Sequence, residues 1–539
     1  MNQNTEQEWQ FVAEDLGATR SWLAAQSHQP TERRFEAQPT LELDDTYYDS
    51  PDWMIFRAGF ALRIRRERAA ATGEQTEITL KSLRQARGSL AIRTEITERV
   101  NTTDLAAVLA RREGIGERIR ELVGTRTLSP LFHAHTRRER QRLLEAENSL
   151  PLAEVDLDET LIETAAGVSR QLTRVEVECI NAVPAALMPW VEQLRDAAHL
   201  RPVEGSKFRA GLNAAGLDPT APLALGSFEI SGSQPCVLSQ LALLRRYFAA
   251  MLAQEPLVRA GSGTAVHEMR VAARHIEVLL RSFEGTGPAW IHAARDTVRG
   301  LVKALGAVRD CDVQLEFLDR RLADLAKDER TAVEPMREGL SGQRLGARAR
   351  LLRTLDGEPL RLWMEMWLSN LPADPVDLAP GLTTAEMAQG LIRGLARKMR
   401  KGGDRLRDDA AADDYHQVRI RAKRLRYTLD AFANLYGEAG TDYLRALGKL
   451  QTVLGDFHDV TVRTSNFTAL VARGPALPTS TSFMVGRLVE RDAEAFERCR
   501  RKFPKAYKRL TRRRWRSLVK AMRAQAQRAQ APTPARETP

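Results

Sequence analysis

The spacing of apolar side chains along this chain changes once, from a period of two to a period of three to four, and that change limits what it can fold into. Up to about residue 210 charged and apolar residues alternate, as in Glu6-x-Glu8-x-Gln10, Leu62-Arg63-Ile64-Arg65, Ile78-Thr79-Leu80-Lys81 and Val175-Glu176-Val177-Glu178. Successive strand residues point to opposite faces, so each stretch predicts a strand with one apolar and one charged face. Helical patches at residues 103–112 and 184–198 make this region α+β. From Pro235 onward the alternation stops, and segments rich in Leu, Ala and Arg predict helices alone. Residues 211–234, rich in Gly, Pro and Ser, read as a linker, and Pro372, Pro375 and Pro380 divide the helical part. The expected organisation is a first domain over 1–212, a linker over 213–234, a helical domain over 235–523 and a disordered tail over 524–539.

Charge divides at the same place. The 539 residues carry a net charge of +11, yet residues 1–212 hold 28 Lys and Arg against 33 Asp and Glu, so the remainder carries +16. The helical part is therefore suited to a polyanion. With aromatic residues at only 6%, base-stacking platforms are not expected, which argues against nucleic acid as the partner. Cys179, Cys236, Cys311 and Cys499 are scattered without a C-x-x-C pair, which suits a reducing compartment. Glu6 and Glu8 stand where a signal peptide needs positive charge, and no run of 18 apolar residues occurs. These features predict a soluble, cytoplasmic protein without a membrane partner.

The helical part repeats itself. Val266-His267-Glu268-Met269-Arg270-Val271-Ala272-Ala273-Arg274 aligns with Tyr415-His416-Gln417-Val418-Arg419-Ile420-Arg421-Ala422-Lys423. Leu305-Gly306-Ala307-Val308-Arg309-Asp310 aligns with Leu454-Gly455-Asp456-Phe457-His458-Asp459, at the same offset of 149 residues. A constant offset over such a distance marks a duplication. In each copy the His and two cations, His267, Arg270 and Arg274 or His416, Arg419 and Lys423, fall on one stripe of a helix. Like charges at that spacing repel by a few tenths of a kcal/mol per pair, so a stripe kept in both copies suits a polyanion lying along it. A solvated helix face is the ordinary alternative for an Arg-rich segment. Asp310 and Asp459 are expected to orient the cations by ion pairing.

These paired motifs resemble the CHAD domain over about residues 228–520. The resemblance implies a pseudo-two-fold pair of helical bundles whose basic central surface binds inorganic polyphosphate through His267, Arg270, Arg274, His416, Arg419, Lys423 and Arg426. The first copy departs from the family pattern at His275-Ile276-Glu277, where the second keeps Arg424, Arg426 and Tyr427.

In the first domain, acidic pairs recur at Glu6/Glu8, Asp156/Asp158 and Glu176/Glu178, and basic residues at Arg63/Arg65, Lys81, Arg93 and Arg138/Arg140. Carboxylates two apart on a strand point the same way and can share a hard divalent cation, while Arg and Lys on neighbouring strands can hold phosphate oxygens. Taken strand by strand, each charged face could equally be the wet side of a half-buried sheet.

Their order, closing with Ser206-Lys207, resembles the CYTH or triphosphate-tunnel metalloenzyme family over about residues 3–210. The resemblance implies an eight-stranded antiparallel tunnel barrel with flanking helices. Within it Glu6, Glu8, Asp156, Glu176 and Glu178 would bind Mg²⁺ or Mn²⁺. Arg63, Arg65, Lys81, Arg138, Arg140 and Lys207 would hold the triphosphate, with Glu6, Glu8, Lys81 and Glu95 in the catalytic set and Glu95 orienting the cations. Gln10 stands where the family motif ends in Lys. The implied activity is metal-dependent hydrolysis of inorganic triphosphate to diphosphate and phosphate, with polyphosphate held by the helical domain. The alternative is a non-catalytic polyphosphate-binding protein with a degenerate tunnel.

Overall fold

The structure is a computed structural model. It describes residues 2–27, 33–69, 73–83, 90–111, 113–147, 149–203, 205–221, 223–284, 288–322, 327–374, 381–406, 410–473 and 478–530. The chain separates into two compact units, essentially residues 1–222 and 223–539.

The first unit is built on ten strands: β1 (Asn2–Val12), β2 (Arg33–Ala37), β3 (Leu41–Asp49), β4 (Phe60–Ala69), β5 (Gly73–Ser82), β6 (Leu90–Val100), β7 (Ser129–Glu145), β8 (Pro151–Thr164), β9 (Ser169–Cys179) and β10 (Arg201–Pro202). Eight of them close into an antiparallel barrel in the order β1-β6-β5-β4-β3-β7-β8-β9, with β9 returning to β1. β2 adds to β7 and β10 to the end of β1, outside the ring.

The apolar face of this barrel is its outer one. Trp9, Phe11, Val175 and Val177 pack under the helices Gly17–Ser27 and Pro184–Ala197. Leu62, Ile64, Ile78 and Leu80 pack under the helices Leu105–Leu109 and Gly114–Val123. Burial against the helices therefore supplies the hydrophobic free energy, and the alternate residues are left to line the interior. At one end the interior is apolar: Tyr47, Phe132, Ala134 and Ile162 meet Phe208 and Leu212 of the helix Lys207–Ala214. A Cβ at Gly211 would lie 2.1 Å from the Phe132 ring, so only glycine lets the helix come this close.

The second unit is entirely helical apart from one bridge, Pro235 to Thr383, among its described residues. Its two repeat helices, Gly263–Ser282 and Ala412–Ala431, share one core in which Met269, Ile276, Val418 and Leu425 are buried. His275 stacks on Tyr247 at 4.0 Å and meets Tyr427 edge-on at 4.7 Å, tying the first copy to the second. The helix Cys236–Arg259 is long and apolar enough to cross a membrane by composition. It is a core helix here, and its buried Arg245 donates to the carbonyl oxygens of Leu371, Ser227 and Ala373.

Two expected boundaries move. The segment read as a linker is partly structured: the helix Lys207–Ala214 enters it, and Leu225 and Ile230 join the helical core. The final helix, Arg513–Gln530, runs into the segment read as a disordered tail, anchored by buried Leu518 and Met522, and residues 531–539 lie outside the described residues. In both places a few aliphatic residues bury enough surface to order a polar stretch.

Candidate functional site

The strand register turns the charged alternation into a lining. Glu8 faces Glu178 and Gln10 faces Glu176 across β1 and β9; Asp156 faces Glu176 and Arg140 across β8 and its neighbours; Lys81 faces Glu95 across β5 and β6. The catalytic, substrate-binding and metal-binding positions expected from the sequence thus lie on the inner face of one barrel, except Lys207, which reaches Asp158 and Glu176 from the start of the helix Lys207–Ala214.

Within it the charges are sorted. Lys81 pairs with Glu6, with Glu95 at 2.8 Å and with Glu8 at 3.6 Å, and Arg93 holds Glu8 at 2.7 Å. Arg138 is fully committed: its Nε reaches Asp158 at 2.7 Å, Nη1 reaches Asp156 at 2.5 Å and Nη2 reaches Glu176 at 3.0 Å. Arg140 takes Asp156 bidentately at 2.7 and 2.9 Å, and Lys207 pairs with Asp158 and with Glu176 at 3.3 Å. Arg65 grips Asp45 bidentately at 2.7 and 2.8 Å. Arg63 stands 3.7 Å from Asp45, and its buried Nε has no hydrogen-bond partner.

Asp156 and Glu176, expected as metal ligands, are therefore already neutralised by Arg138, Arg140 and Lys207. Glu6, Glu8 and Glu178 form a separate acidic wall. Gln10 bridges the two groups, its Nε2 donating to Glu8 at 3.0 Å and Glu176 at 3.2 Å.

The protonation of these groups follows the sorting. Burial raises Glu176, but Lys207 and Arg138 outweigh it and bring the carboxyl down to about 2. Asp45 goes the same way to about 2, where burial is overcome by Arg65 and Arg63. On the acidic wall the balance reverses: burial lifts Glu8 to about 7, with Lys81 opposing and Glu6 adding to the rise. Burial, Glu6 and Glu8 push Glu178 up to about 8. Carboxyls raised in this way favour any cation placed among them. Their hard oxygen donors fit a divalent ion such as Mg²⁺ or Mn²⁺, although no three such groups among the described residues yet converge on one point.

Asp45 and Arg174 are interior residues that the alternation of charge did not single out, whereas Arg93, noted among the basic strand residues, holds Glu8. Asp45 was legible in principle, since Leu43, Asp45 and Tyr47 alternate with Glu42, Asp44 and Thr46 on β3 and are its buried side.

In the helical unit the two stripes meet. Lys423 feels Arg419, Arg270, Arg274 and Asp459, and Asp310 feels Arg270, Asp459, Arg419 and Lys423. Arg270 with Arg419, Arg274 with Lys423, and Asp310 with Asp459 are each pairs at the repeat offset, so a pseudo-two-fold axis passes among them. The buried Nε atoms of Arg270 and Arg419 both lack a hydrogen-bond partner, and so does Nδ1 of His267. His416 lies 5.1 Å ring to ring from His458. Arg426 donates to Gln451 at 2.9 Å, whereas Glu277, its counterpart in the first copy, holds Arg274 at 2.7 Å. Contrary to the expected ion pairing, Asp310 and Asp459 form no salt bridge among the described residues. They are exposed at the edge of the cations and act on them at longer range.

A closed antiparallel barrel with this charged interior is a triphosphate-tunnel fold, here joined to a duplicated helical domain. The CYTH domain model matches residues 22–212 and the CHAD domain model residues 242–468. The chain thus carries a CYTH domain match followed by a CHAD domain match. β1, with Glu6 and Glu8, precedes the CYTH match, and its place in the barrel rests on its pairing with β6 and β9.

Two uncharacterized proteins of Mycobacterium tuberculosis, from strains CDC 1551 / Oshkosh and ATCC 25618 / H37Rv, are each 28% identical over 518 residues, spanning 88% of this chain and 91% of their own. Among solved structures, the CHAD domain from the plant Ricinus communis is similar over 52% of this chain and 97% of its own, at 22% identity and a TM-score of 0.42. A Hippeastrum protein described as revealing a dominant triphosphatase activity is similar over 40% of this chain and 97% of its own, at 18% identity and a TM-score of 0.29.

Proposed function

We propose that the barrel hydrolyses inorganic triphosphate to diphosphate and phosphate in a reaction dependent on a divalent cation, and that the helical domain holds inorganic polyphosphate, in the cytoplasm. One observation carries this reading: the barrel buries the charged side chains of Glu8, Asp45, Arg138, Asp156, Asp158, Arg174 and Glu176 where a core would ordinarily be apolar. Burying charges costs several kcal/mol each unless they are paired, and replacing such pairs with apolar residues is often neutral or stabilising. A lining of this kind is explained by a ligand that carries both signs, a phosphate chain with its cation.

In this reading Glu6, Glu8 and Glu178 would hold the divalent ion, which when bound would neutralise phosphate oxygens and supply an activated water. Arg63 meets a phosphoryl oxygen with its unspent Nε, and Lys81, Arg65 and Lys207 exchange carboxylate partners for phosphate oxygens. Glu95 and Asp45 keep Lys81 and Arg65 in place. Burial raises Glu95, but Lys81 and Arg63 hold it below its ordinary range, so it stays ionised for that task. Water adds to one terminal phosphorus as the bridging oxygen leaves with its electron pair, giving diphosphate and phosphate. The four cysteines are all free, which supports a reducing compartment.

Phosphate release from tripolyphosphate with Mg²⁺ or Mn²⁺ tests this. Release is expected to cease in excess EDTA and to fall about 100-fold or more in Glu8→Gln. No release from tripolyphosphate, with polyphosphate still bound, would favour the second reading, a tethering protein with an inactive tunnel, to which Gln10 in place of a lysine points.

The helical surface carries its own test. Burial, then Arg419, Arg270 and Arg274, push the Lys423 ammonium down to about 7, with Asp459 opposing. A bound polyanion favours the protonated amine, so binding takes up a proton. Polyphosphate affinity should fall as pH rises from 6 to 8.5, and Lys423→Met should flatten that slope; a slope unchanged in the variant would count against Lys423 as a ligand.

A further inference from the structure

Beside the apolar end of the barrel, a cleft of about 370 Å³ opens between the helix Lys207–Ala214 and the ends of β1 and β9. Arg170, Arg174 and Arg209 line it together with Ser206 and Asn213, and no Asp or Glu is among its described lining residues. Arg170 and Arg209 are exposed at the rim, while Arg174 is only 4% exposed. Its Nη2 donates to the Gly205 carbonyl oxygen at 3.2 Å, and its Nη1 is buried without a hydrogen-bond partner. A buried donor left unmade costs about 1–3 kcal/mol, more when charged, so this arginine is better explained by an acceptor that arrives than by packing alone.

Arg174 also belongs to the interior. It pairs with Val12 two residues along β9 from Glu176, on the same face as Glu176 and Gln10. The positive charge absent at Gln10 is thus supplied one step further along the neighbouring strand. At this end of the barrel Tyr47, Phe132 and Phe208 form an apolar cluster that offers an anion no partner, whereas the unpartnered Nη1 of Arg174 does.

We propose that this cleft is a second anion site, binding a phosphoryl dianion outside the three that the interior holds, with Arg174 common to both. The inference rests on the phosphate-chain reading of the interior. Two sources share this chemistry: the fourth group of a chain longer than triphosphate, and orthophosphate leaving after hydrolysis.

The test compares the full-length protein with its Arg170→Ala/Arg209→Ala variant, whose changes are at exposed positions. Turnover of tripolyphosphate and tetraphosphate is measured with Mg²⁺, and binding of orthophosphate is measured at equilibrium with Arg270→Ala and Arg419→Ala present in both proteins to silence the helical surface. Tripolyphosphate kcat/KM is expected to stay within about twofold, while tetraphosphate kcat/KM or orthophosphate affinity falls about tenfold. A tetraphosphate loss assigns the cleft to a chain end, and a loss confined to orthophosphate assigns it to product. Equal values for all three anions in variant and parent overturn the site. If the parent turns over no tripolyphosphate, the reading of the interior fails on its own, and orthophosphate binding then decides the cleft: an unchanged affinity overturns it, a tenfold loss upholds it.

Discussion

Replacing Arg138 by alanine should destabilise the barrel by about 3–5 kcal/mol and abolish any phosphate release, because it strips the common partner from Asp156, Asp158 and Glu176 at once. The three carboxylates would remain buried at close range with only Arg140, Lys207 and Gln10 to answer them. The pH dependence gives this prediction its signature. Glu176 is held down at about 2, and Asp158 is likewise held below its ordinary range because Lys207 and Arg138 outweigh burial. Groups lowered in this way stabilise the fold above the pH at which the unfolded chain ionises, and that stability is lost as pH falls. Parent and variant should therefore differ most near neutrality, begin to approach each other below about pH 5, and converge only as pH falls through about 2. Chemical denaturation across this range measures the gap. A variant that unfolds with the parent's midpoint at pH 7 would show that Arg138 is not the hub of the interior. Arg138→Lys should fall between the two, keeping the charge while losing the fork that reaches three acceptors.

In the helical unit, Arg270→Ala combined with Arg419→Ala should weaken polyphosphate binding by about 100-fold or more, and the salt dependence should become shallower by about two ions. Each substitution removes a guanidinium with an unpartnered buried Nε at the centre of the pseudo-two-fold. Tripolyphosphate turnover should be unchanged, since neither residue belongs to the barrel unit. Binding titrations at several salt concentrations decide the matter: an affinity unchanged in the double variant would place the polyanion elsewhere.

Much of this architecture could be read from residue order because the barrel is inverted. A strand whose charged face is sealed inside and whose apolar face is covered by helices alternates as cleanly as any half-wet strand, so Glu6/Glu8, Arg63/Arg65 and Glu176/Glu178 announced their strands without ambiguity. What alternation does not convey is partnership. Asp156 and Glu178 look equivalent along the chain, yet cross-strand register gives the first to Arg138 and Arg140 and leaves the second on an acidic wall. Gly211 illustrates the opposite failure. As part of a Gly, Pro and Ser stretch it signals a linker, but it is a packing glycine under Phe132, and only the tertiary contact reveals that. Arg174 escaped for a related reason: its role depends on a cleft made by the helix Lys207–Ala214, which is 33 or more residues further along the chain. The duplication, in contrast, was legible through its constant offset, and the meeting of Arg270 with Arg419 is what a two-fold relation between copies requires.

That two-fold relation bears on which kind of chain the helical surface can accept. A strand of nucleic acid has a direction, and reversing it exchanges unlike groups; a linear phosphate chain reads the same from either end. A surface whose donors recur about an axis offers one pattern to a chain laid in either sense, so a directionless polymer has two equivalent ways to settle and can shift along by one unit without losing its contacts. The match is imperfect: Arg421, Arg424 and Arg426 in the second copy answer to Ala272, His275 and Glu277 in the first. There the surface acquires a heading of its own, and a symmetric chain resting on it would be gripped more firmly at the end that lies over the second copy.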